Sequence, residues 1–253
     1  MQTVKSVGRT LALLELFDEL KRPATVMEIA RALGCPQSST SALLHSMVAL
    51  GYCEFNPASR TYIPTARVAL LGMWLEASLL HNGAVLRLLN DVNEQTGEHV
   101  LLAVRHGLEV RYIYTLAARH PDRPHIRTGT IRRLGRSGAG NLFLATQPDN
   151  QIATLVRRIN AEETDPAYRI ELKPLMVEVA EIRERGYSLS IDRVTPGIGG
   201  VNVLLPQINR TQPMAISLSS LSGIVTRQHE DIVQCIRDSI ARHLDQDLPP
   251  IRP

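Results

Sequence analysis

Two stretches of this chain place polar side chains in patterns suited to recognising another molecule. The first is "GCPQSSTSALLHSMVALGY" at 34–52. On a helix beginning near Pro36, the residues Gln37, Ser38, Ser41, Ala42 and His45 point away from the apolar stripe, and Ser39 adds a hydroxyl. Gln can pair with adenine in the major groove, serines are short donors and acceptors, and Ala42 can meet a thymine methyl. Ser38 and Ser39 can equally serve as helix caps. No Lys or Arg lies between Arg31 and Arg60, so cations for phosphate contacts must come from elsewhere: Lys5, Arg9, Lys21, Arg22, Arg31 and Arg60. Residues 1–75 hold seven basic and five acidic side chains, and the start of the helix adds its own partial positive charge.

The second stretch is "GTIRRLGRSGAGNLFLA" at 129–145. Ser137, Gly138 and Ala139 precede a helical run, so their N–H groups can form an anion site or a plain tight turn. The terminal Lys-Ser/Thr of a Walker loop is missing, as is the second spaced Gly of a nucleophile elbow. Arg119, Arg123, Arg127, Arg132, Arg133 and Arg136 crowd this region with His120 and His125. They form a solvated surface, or one or two face a pocket and hold an anion. Ser217 and Ser219 alternate along "AISLS" and share one face of a strand. They either line a cavity or bond to backbone. The glycine-rich "GYSLSIDRVTPGIGG", 186–200, says little by itself.

The elements that position these residues follow from periodicity. "SVGRTLALLELFDEL", 6–20, is helical, with Val7, Leu11, Leu14 and Phe17 on one stripe and Leu13, Leu16 and Leu20 widening it. That breadth fits either a well-buried helix or one that also packs on a partner chain. Thr25 and Glu28 have capping-box spacing, and Gly34 is suited to a left-handed helix end. The third helix spans about 36–50, burying Thr40, Leu43, Leu44, Met47 and Leu50. Two β-like runs, "YCEF" and "TYIP", flank the turn "NPASR". Three helices and a hairpin make a winged helix-turn-helix. A helix capped by Thr65 follows at about 66–80, with Val68, Leu71, Trp74 and Leu75 apolar, and Asn82-Gly83 breaks it.

Beyond this, helices are expected at 86–96, from "NLFLAT" to about 160, at 172–185 and at 226–244. Strands are expected at "HVLLAV", "VRYIYTL", "VNVLLP" and "PMAISLS". Interleaved helices and strands imply one α/β or α+β domain. The expected domains are 1–64 for DNA binding, 65–83 as a linker helix, and 84–253 for effector binding.

Bulk properties limit the function class. A chain of 253 residues with 44% hydrophobic and 21% charged content is an ordinary globular protein. A net charge of +3 permits a nucleic-acid partner without arguing for one. Aromatics at 4% disfavour a single-strand stacking platform. Cys35, Cys53 and Cys235 contain no C-x-x-C pair, so neither a disulfide framework nor a zinc site is expected. Reduced thiols, no leader and no run of about 18 apolar residues point to a cytoplasmic protein with no membrane partner. No cofactor loop, metal-ligand cluster or nucleophile–base signature appears, so no enzyme, cofactor or metal is expected.

The order and spacing of "SVGRTLALLELF", "TVMEIARALGCPQSSTSALLHSMVALGY", "RTYIPTARVALLG", "GEHVLLAV", "SGAGNLFLA", "IRERGYSL" and "AISLSSLSGIVT" resemble the IclR-type family of bacterial transcriptional regulators, over nearly the whole chain. The resemblance implies an α+β protein in which an N-terminal winged helix-turn-helix is joined by a linker helix to a GAF/PAS-like effector domain. It implies binding of double-stranded promoter DNA, dimers that can pair into tetramers, and a small carboxylate or aromatic acid as effector. Both repressors and activators occur in the family. Carried over by position, the loop Ser137, Gly138 and Ala139 presents backbone N–H groups to a carboxylate, and Ser217 and Ser219 belong to the same site. The family's loop His is Gly135 here and its Lys is Asn141. An acidic position is Ser190, with Asp192 nearby, and a frequent Cys is Gly200. On the reading helix a common His is Ser41 and a common Arg is Ala42. Glycine in place of two polar side chains implies a ligand larger than the family's smallest acids.

Overall fold

The computed structural model describes residues 4–71, 83–123, 125–206 and 212–244. The chain divides into two compact units, Met1–Glu76 and Ala77–Pro253. In the first, helices α1 (Lys5–Leu20), α2 (Val26–Leu33) and α3 (Gln37–Ala49) accompany the short strands β1 (Ala24–Thr25), β2 (Cys53–Asn56) and β3 (Thr61–Pro64). The strands form an antiparallel sheet in the order β1-β3-β2. Leu13, Phe17, Ile29, Leu44, Met47, Cys53 and Tyr62 make the core.

The start of α2 is fixed by the expected capping box. The Glu28 N–H donates to Thr25 Oγ1 at 3.3 Å, and the Thr25 N–H donates to Glu28 Oε2 at 2.8 Å. Gly34, at φ +61°, ends α2 in the left-handed conformation that glycine adopts without steric cost. Pro36 is the N-cap of α3, at ψ 140°, so that helix begins one residue later than expected.

Three apolar positions differ from the sequence expectation. Leu50 is the C-cap of α3 and 61% exposed, because it lies past the last turn that meets the core. Val7 and Leu11 are 53% and 56% exposed; the face of α1 that meets the core carries Leu13 and Phe17 instead. Thr65 makes no side-chain cap. Its hydroxyl donates to the Gly51 carbonyl at 2.8 Å, tying the chain after the wing to the end of α3. Helix α4 (Ala66–Leu70) follows. The remainder of the expected linker helix, including Trp74 and Leu75, lies outside the described residues.

The second unit holds α5 (Ala84–Thr96), β4 (His99–His106), β5 (Glu109–Leu116), β6 (Ile131–Arg133), α6 (Gly138–Ala145), α7 (Asp149–Glu162), α8 (Leu172–Arg185), β7 (Ser188–Ile191), β8 (Ile198–Leu204), β9 (Met214–Leu221) and α9 (Ser222–Leu244). Its six strands run β6-β5-β4-β9-β8-β7, with every pairing antiparallel. This is an α+β sheet, without the parallel crossovers of an α/β fold. One face packs Val100, Leu102, Val201, Val203 and Ile216 against α5 and α9. The other packs Leu101, Ala103, Val110 and Ala215 among residues of α6, α7 and α8. Covered on both faces, the central strand β4 reads as a continuous apolar run in place of an alternation. The helix expected to continue from "NLFLAT" is two helices, broken at Thr146 and restarted after Pro148. The last helix begins at Ser222, directly after β9, four residues before the expected Thr226.

Candidate nucleic-acid and ligand sites

Helix α3 presents Gln37, Ser38, Ala42 and His45 as exposed residues, with Ser39 and Ser41 half-buried. Neither Ser38 nor Ser39 caps the helix, whose N-cap is Pro36 with no side-chain hydrogen bond. The N–H groups of the first turn are therefore open to water or a phosphate.

The surrounding cations fall into two groups. Lys21 pairs with Asp18, and Arg22 with Glu28 at 3.1 Å. Arg67 donates to the Leu50 carbonyl at 3.0 Å and stacks over Tyr52 at 4.7 Å. Among the described residues, Lys5, Arg9, Arg31 and Arg60 form no ion pair. Lys5 and Arg9 share a groove with Leu33 and Cys35, beside the turn that enters α3. Arg60 sits on the wing turn with φ +54°. Asn56 Oδ1 organises that turn by accepting from the Ala58 and Ser59 N–H groups at 2.9 and 3.3 Å.

In the second unit, residues from several elements line a cavity of about 370 Å³. Ser137, Gly138 and Ala139 come from the start of α6, Arg132 from β6, Ser190 from β7, Gly200 from β8, and Ser217 and Ser219 from β9. They meet because Ser217 lies opposite Asn202, and Ser219 opposite Gly200, across β8 and β9, while Gly200 lies opposite Ser190 across β7. Asp192 does not join them. Its Oδ1 accepts from the Gly197 N–H at 2.7 Å and the Ser222 hydroxyl at 2.6 Å, so the carboxylate shapes the turn between β7 and β8. Gly135 also lies apart from this cavity. A Cβ there would stand 2.5 Å from Ile170 Cδ1, so only Gly200 of the two glycine replacements adds room beside the serines.

Hydrogen bonding inside the cavity is specific. Ser137 Oγ accepts from the Gly140 N–H at 3.1 Å, and the Asn141 N–H reaches the Ser137 carbonyl at 2.9 Å. Gly138 and Ala139 supply the remaining N–H groups of that first turn, which have no intrahelical acceptor. A Cβ at Gly138 would stand 2.6 Å from Asn202 Nδ2 and 2.8 Å from Ser190 Oγ, so any side chain there must displace those two groups. Ser217 donates to Asn202 Oδ1 at 2.7 Å, and Ser219 Oγ lies 3.4 Å from the Gly199 carbonyl. Asn202 is 4% exposed, and its Nδ2 has no partner. Burial raises the Tyr112 pKa, opposed by the nearby Arg132 charge and a hydrogen bond with Ser217, so Tyr112 is a neutral phenol.

The crowd of arginines separates by environment. Arg123 holds the buried Glu98 at 2.9 Å, Arg133 pairs with Glu162 at 3.1 Å, and Arg136 with Glu163 at 2.7 Å. Arg132 forms no ion pair among the described residues and faces the cavity, as does His125. A roomier groove of about 710 Å³ adjoins it, lined by Arg133, Arg136 and Arg193 among others. Those three are paired with Glu162, Glu163 and Glu178, and although Arg132 and Arg169 also line the groove, so do Glu171 and Glu178, whereas no Asp or Glu lines the smaller cavity among the described residues. Sequence reading missed Asn202 and Tyr112. The clue for Asn202 was a lone amide inside the apolar run "GVNVLL", since a buried polar side chain needs a partner.

Residues 6–57 match the IclR helix-turn-helix domain, and residues 82–246 match the C-terminal domain of bacterial IclR transcriptional regulators. The HTH-type transcriptional regulator XynR of Escherichia coli is 24% identical over 225 residues, spanning 89% of each chain. The transcriptional repressor IclR of Escherichia coli is 27% identical over 232 residues, spanning 91% of this chain and 84% of the relative. The fold is shared with an IclR homolog from Microbacterium hydrocarbonoxydans solved in complex with 4-hydroxybenzoate. The TM-score is 0.65 at 18% identity, over 93% of this chain and 96% of that one. A winged helix with an uncharged reading helix, followed by an antiparallel α+β domain with a polar cavity, is thus matched along almost its whole length, and the chain belongs to the IclR family of DNA-binding transcriptional regulators.

Proposed function

We propose that this regulator controls a catabolic operon by sensing a small organic or aromatic acid in the cavity between α6 and the β8–β9 strands. The observation that carries this reading is the chemistry of that cavity. Two helix-start N–H groups converge there with Arg132, which forms no ion pair among the described residues, and no Asp or Glu is among the described residues that line it. Such a site favours an anion. The 4-hydroxybenzoate bound by the Microbacterium homolog supports an aromatic acid within the range of candidates.

On DNA, Gln37, Ser38, Ser39, Ser41, Ala42 and His45 meet base edges, and Lys5, Arg9 and Arg60 meet phosphates. The exposed Val4, at the N-cap of α1, and Val7 and Leu11 on that helix form the surface through which two copies associate, and pairs of dimers make a tetramer. The protein works in the cytoplasm; no described helix is long and apolar enough to cross a membrane. Effector binding changes DNA occupancy only if the acid binds one arrangement of the protein better than the other. Repression and activation are both open to such a device.

A thermal-shift screen with small organic acids, paired with DNA-binding titrations, tests the reading. A raised melting temperature together with altered DNA affinity is the expected result. Unchanged DNA affinity in the presence of an acid that binds would make this a ligand-independent regulator.

A further inference from the structure

The hydrogen-bonding protons on the side chains of β8 and β9 that line the cavity differ in how free they are. Ser217 has one hydroxyl proton, and it is given to Asn202 Oδ1. Bound in that way, Ser217 retains only lone pairs, and the buried Tyr112 phenol stands beside it. Ser219 turns its proton toward the Gly199 carbonyl. Neither serine of β9 has a proton left for an anion. Asn202 has two on Nδ2, both unused, in a side chain only 4% exposed. That nitrogen is aimed at the start of α6, since it sits 2.6 Å from where a Gly138 Cβ would stand. Donors thus meet donors: an amide NH₂ faces the free N–H groups of Gly138 and Ala139. A buried amide nitrogen without an acceptor costs free energy, and an acceptor placed between the two groups removes that cost.

We propose that Asn202 is the residue that reads the effector's carboxylate, donating from Nδ2 while Gly138 and Ala139 donate from the helix start. Ser217 is a positioning residue: it occupies the amide oxygen and so fixes which end of Asn202 faces the ligand. This rests on the acid-sensing reading above and sharpens it. The ligand class is a deprotonated carboxylate. Its neutral amide is rejected because the amide's own NH₂ adds another donor to a site made of donors.

The test uses the full chain, with sodium benzoate, sodium 4-hydroxybenzoate and sodium succinate as probes and benzamide as the neutral isostere. Binding is read by calorimetry and melting temperature. Wild type is expected to bind at least one carboxylate and to ignore benzamide. Asn202→Ala is expected to weaken that binding about ten- to hundredfold, the usual value of a hydrogen bond to a charged group. Asn202→Asp, nearly the same shape, is expected to abolish it by placing a like charge at the site. The melting temperature of each variant without probe shows whether it has folded. Ser217→Ala is expected to weaken binding in wild type and to have no added effect in the Asn202→Ala background.

A probe bound by wild type and equally well by both Asn202 variants overturns this inference and leaves acid sensing standing. Benzamide bound as tightly as benzoate also overturns it. A full loss from Ser217→Ala in the Asn202→Ala background places Ser217 on the ligand and removes its positioning role. If no carboxylate binds wild type, acid sensing falls and this inference falls with it.

Discussion

Helix α3 and the cavity at the start of α6 are both rich in polar side chains, yet they differ in what water can do for them. Gln37, Ser38 and His45 on α3 are exposed, so each is hydrated until DNA arrives and costs the fold nothing. Asn202, Ser217 and Ser219 are 4%, 3% and 6% exposed, so each must find a partner within the protein or in a ligand. An exposed polar group gives no sign of whether it is used. A buried one announces its need through what it leaves unsatisfied. Charge follows the same division. Around α3 the cations with no ion pair among the described residues lie outside the helix, at Lys5, Arg9, Arg31 and Arg60, so the proposed DNA contacts put affinity and sequence choice on different residues. In the cavity, Arg132 and the neutral donors act on one small volume.

The sharpest break of this comparison is Gly138→Val. A side chain there meets Asn202 Nδ2 and Ser190 Oγ and fills the space an acid would take. Effector response should be lost, with affinity down more than about a hundredfold, while overpacking costs the fold about 1–3 kcal/mol. The same variant should bind operator DNA with its affinity intact. Calorimetry with a bound acid and a DNA titration on one preparation would check both halves. Next in size is Gln37→Ala, which should change preference at one base position by about 1–3 kcal/mol and leave folding stability within about 0.5 kcal/mol of wild type. Equal losses on operator and random DNA would remove Gln37 from base reading.

Much of the winged helix could be read from the sequence because its signals are local. The capping box of Thr25 and Glu28, the Gly34 turn and the "NPASR" hairpin each act within a few residues. Helix α8 was legible at both ends, closed by Gly186 at φ +83°. The misses share a cause in tertiary context. Strands β6 and β7 are three and four residues long. They exist because a sheet edge pairs with them, and "IRR" or "SLSI" alone carries no such pattern. Val7 and Leu11 fit the helical period of a buried stripe, but period cannot say whether the covering surface is the same chain. The cavity was half legible. The small residues 137–140 and the alternating serines marked its walls, and Ser190 and Gly200 came only through family likeness. Asp192 was drawn off by its own turn, and Asn202 and Tyr112 were hidden because no spacing rule links residues 90 positions apart in sequence.

Smaller effects test the exposed side of the comparison. Arg60→Asn removes the charge and keeps a residue that tolerates positive φ, so the wing turn should survive. DNA binding should weaken several-fold on every sequence, and the slope of log affinity against log salt should fall by about 1. A change confined to one operator would instead make Arg60 a base reader.

The smallest expected effect belongs to Ser38→Ala. Because Pro36 holds the N-cap position and no serine side chain caps α3, the loss of about 1 kcal/mol that follows removal of a capping serine should be absent. The melting temperature should stay at the wild-type value, and any change should be confined to DNA preference. A drop in melting temperature of the size seen for a true cap variant, with Thr25→Ala as the internal standard, would mean that Ser38 serves the fold. The reading surface would then shrink to Gln37, Ser39, Ser41, Ala42 and His45. The contrast with Ser217→Ala is direct: one serine removed from water on a surface, one removed from a buried hydrogen bond to Asn202, and only the second expected to disturb a neighbour's orientation.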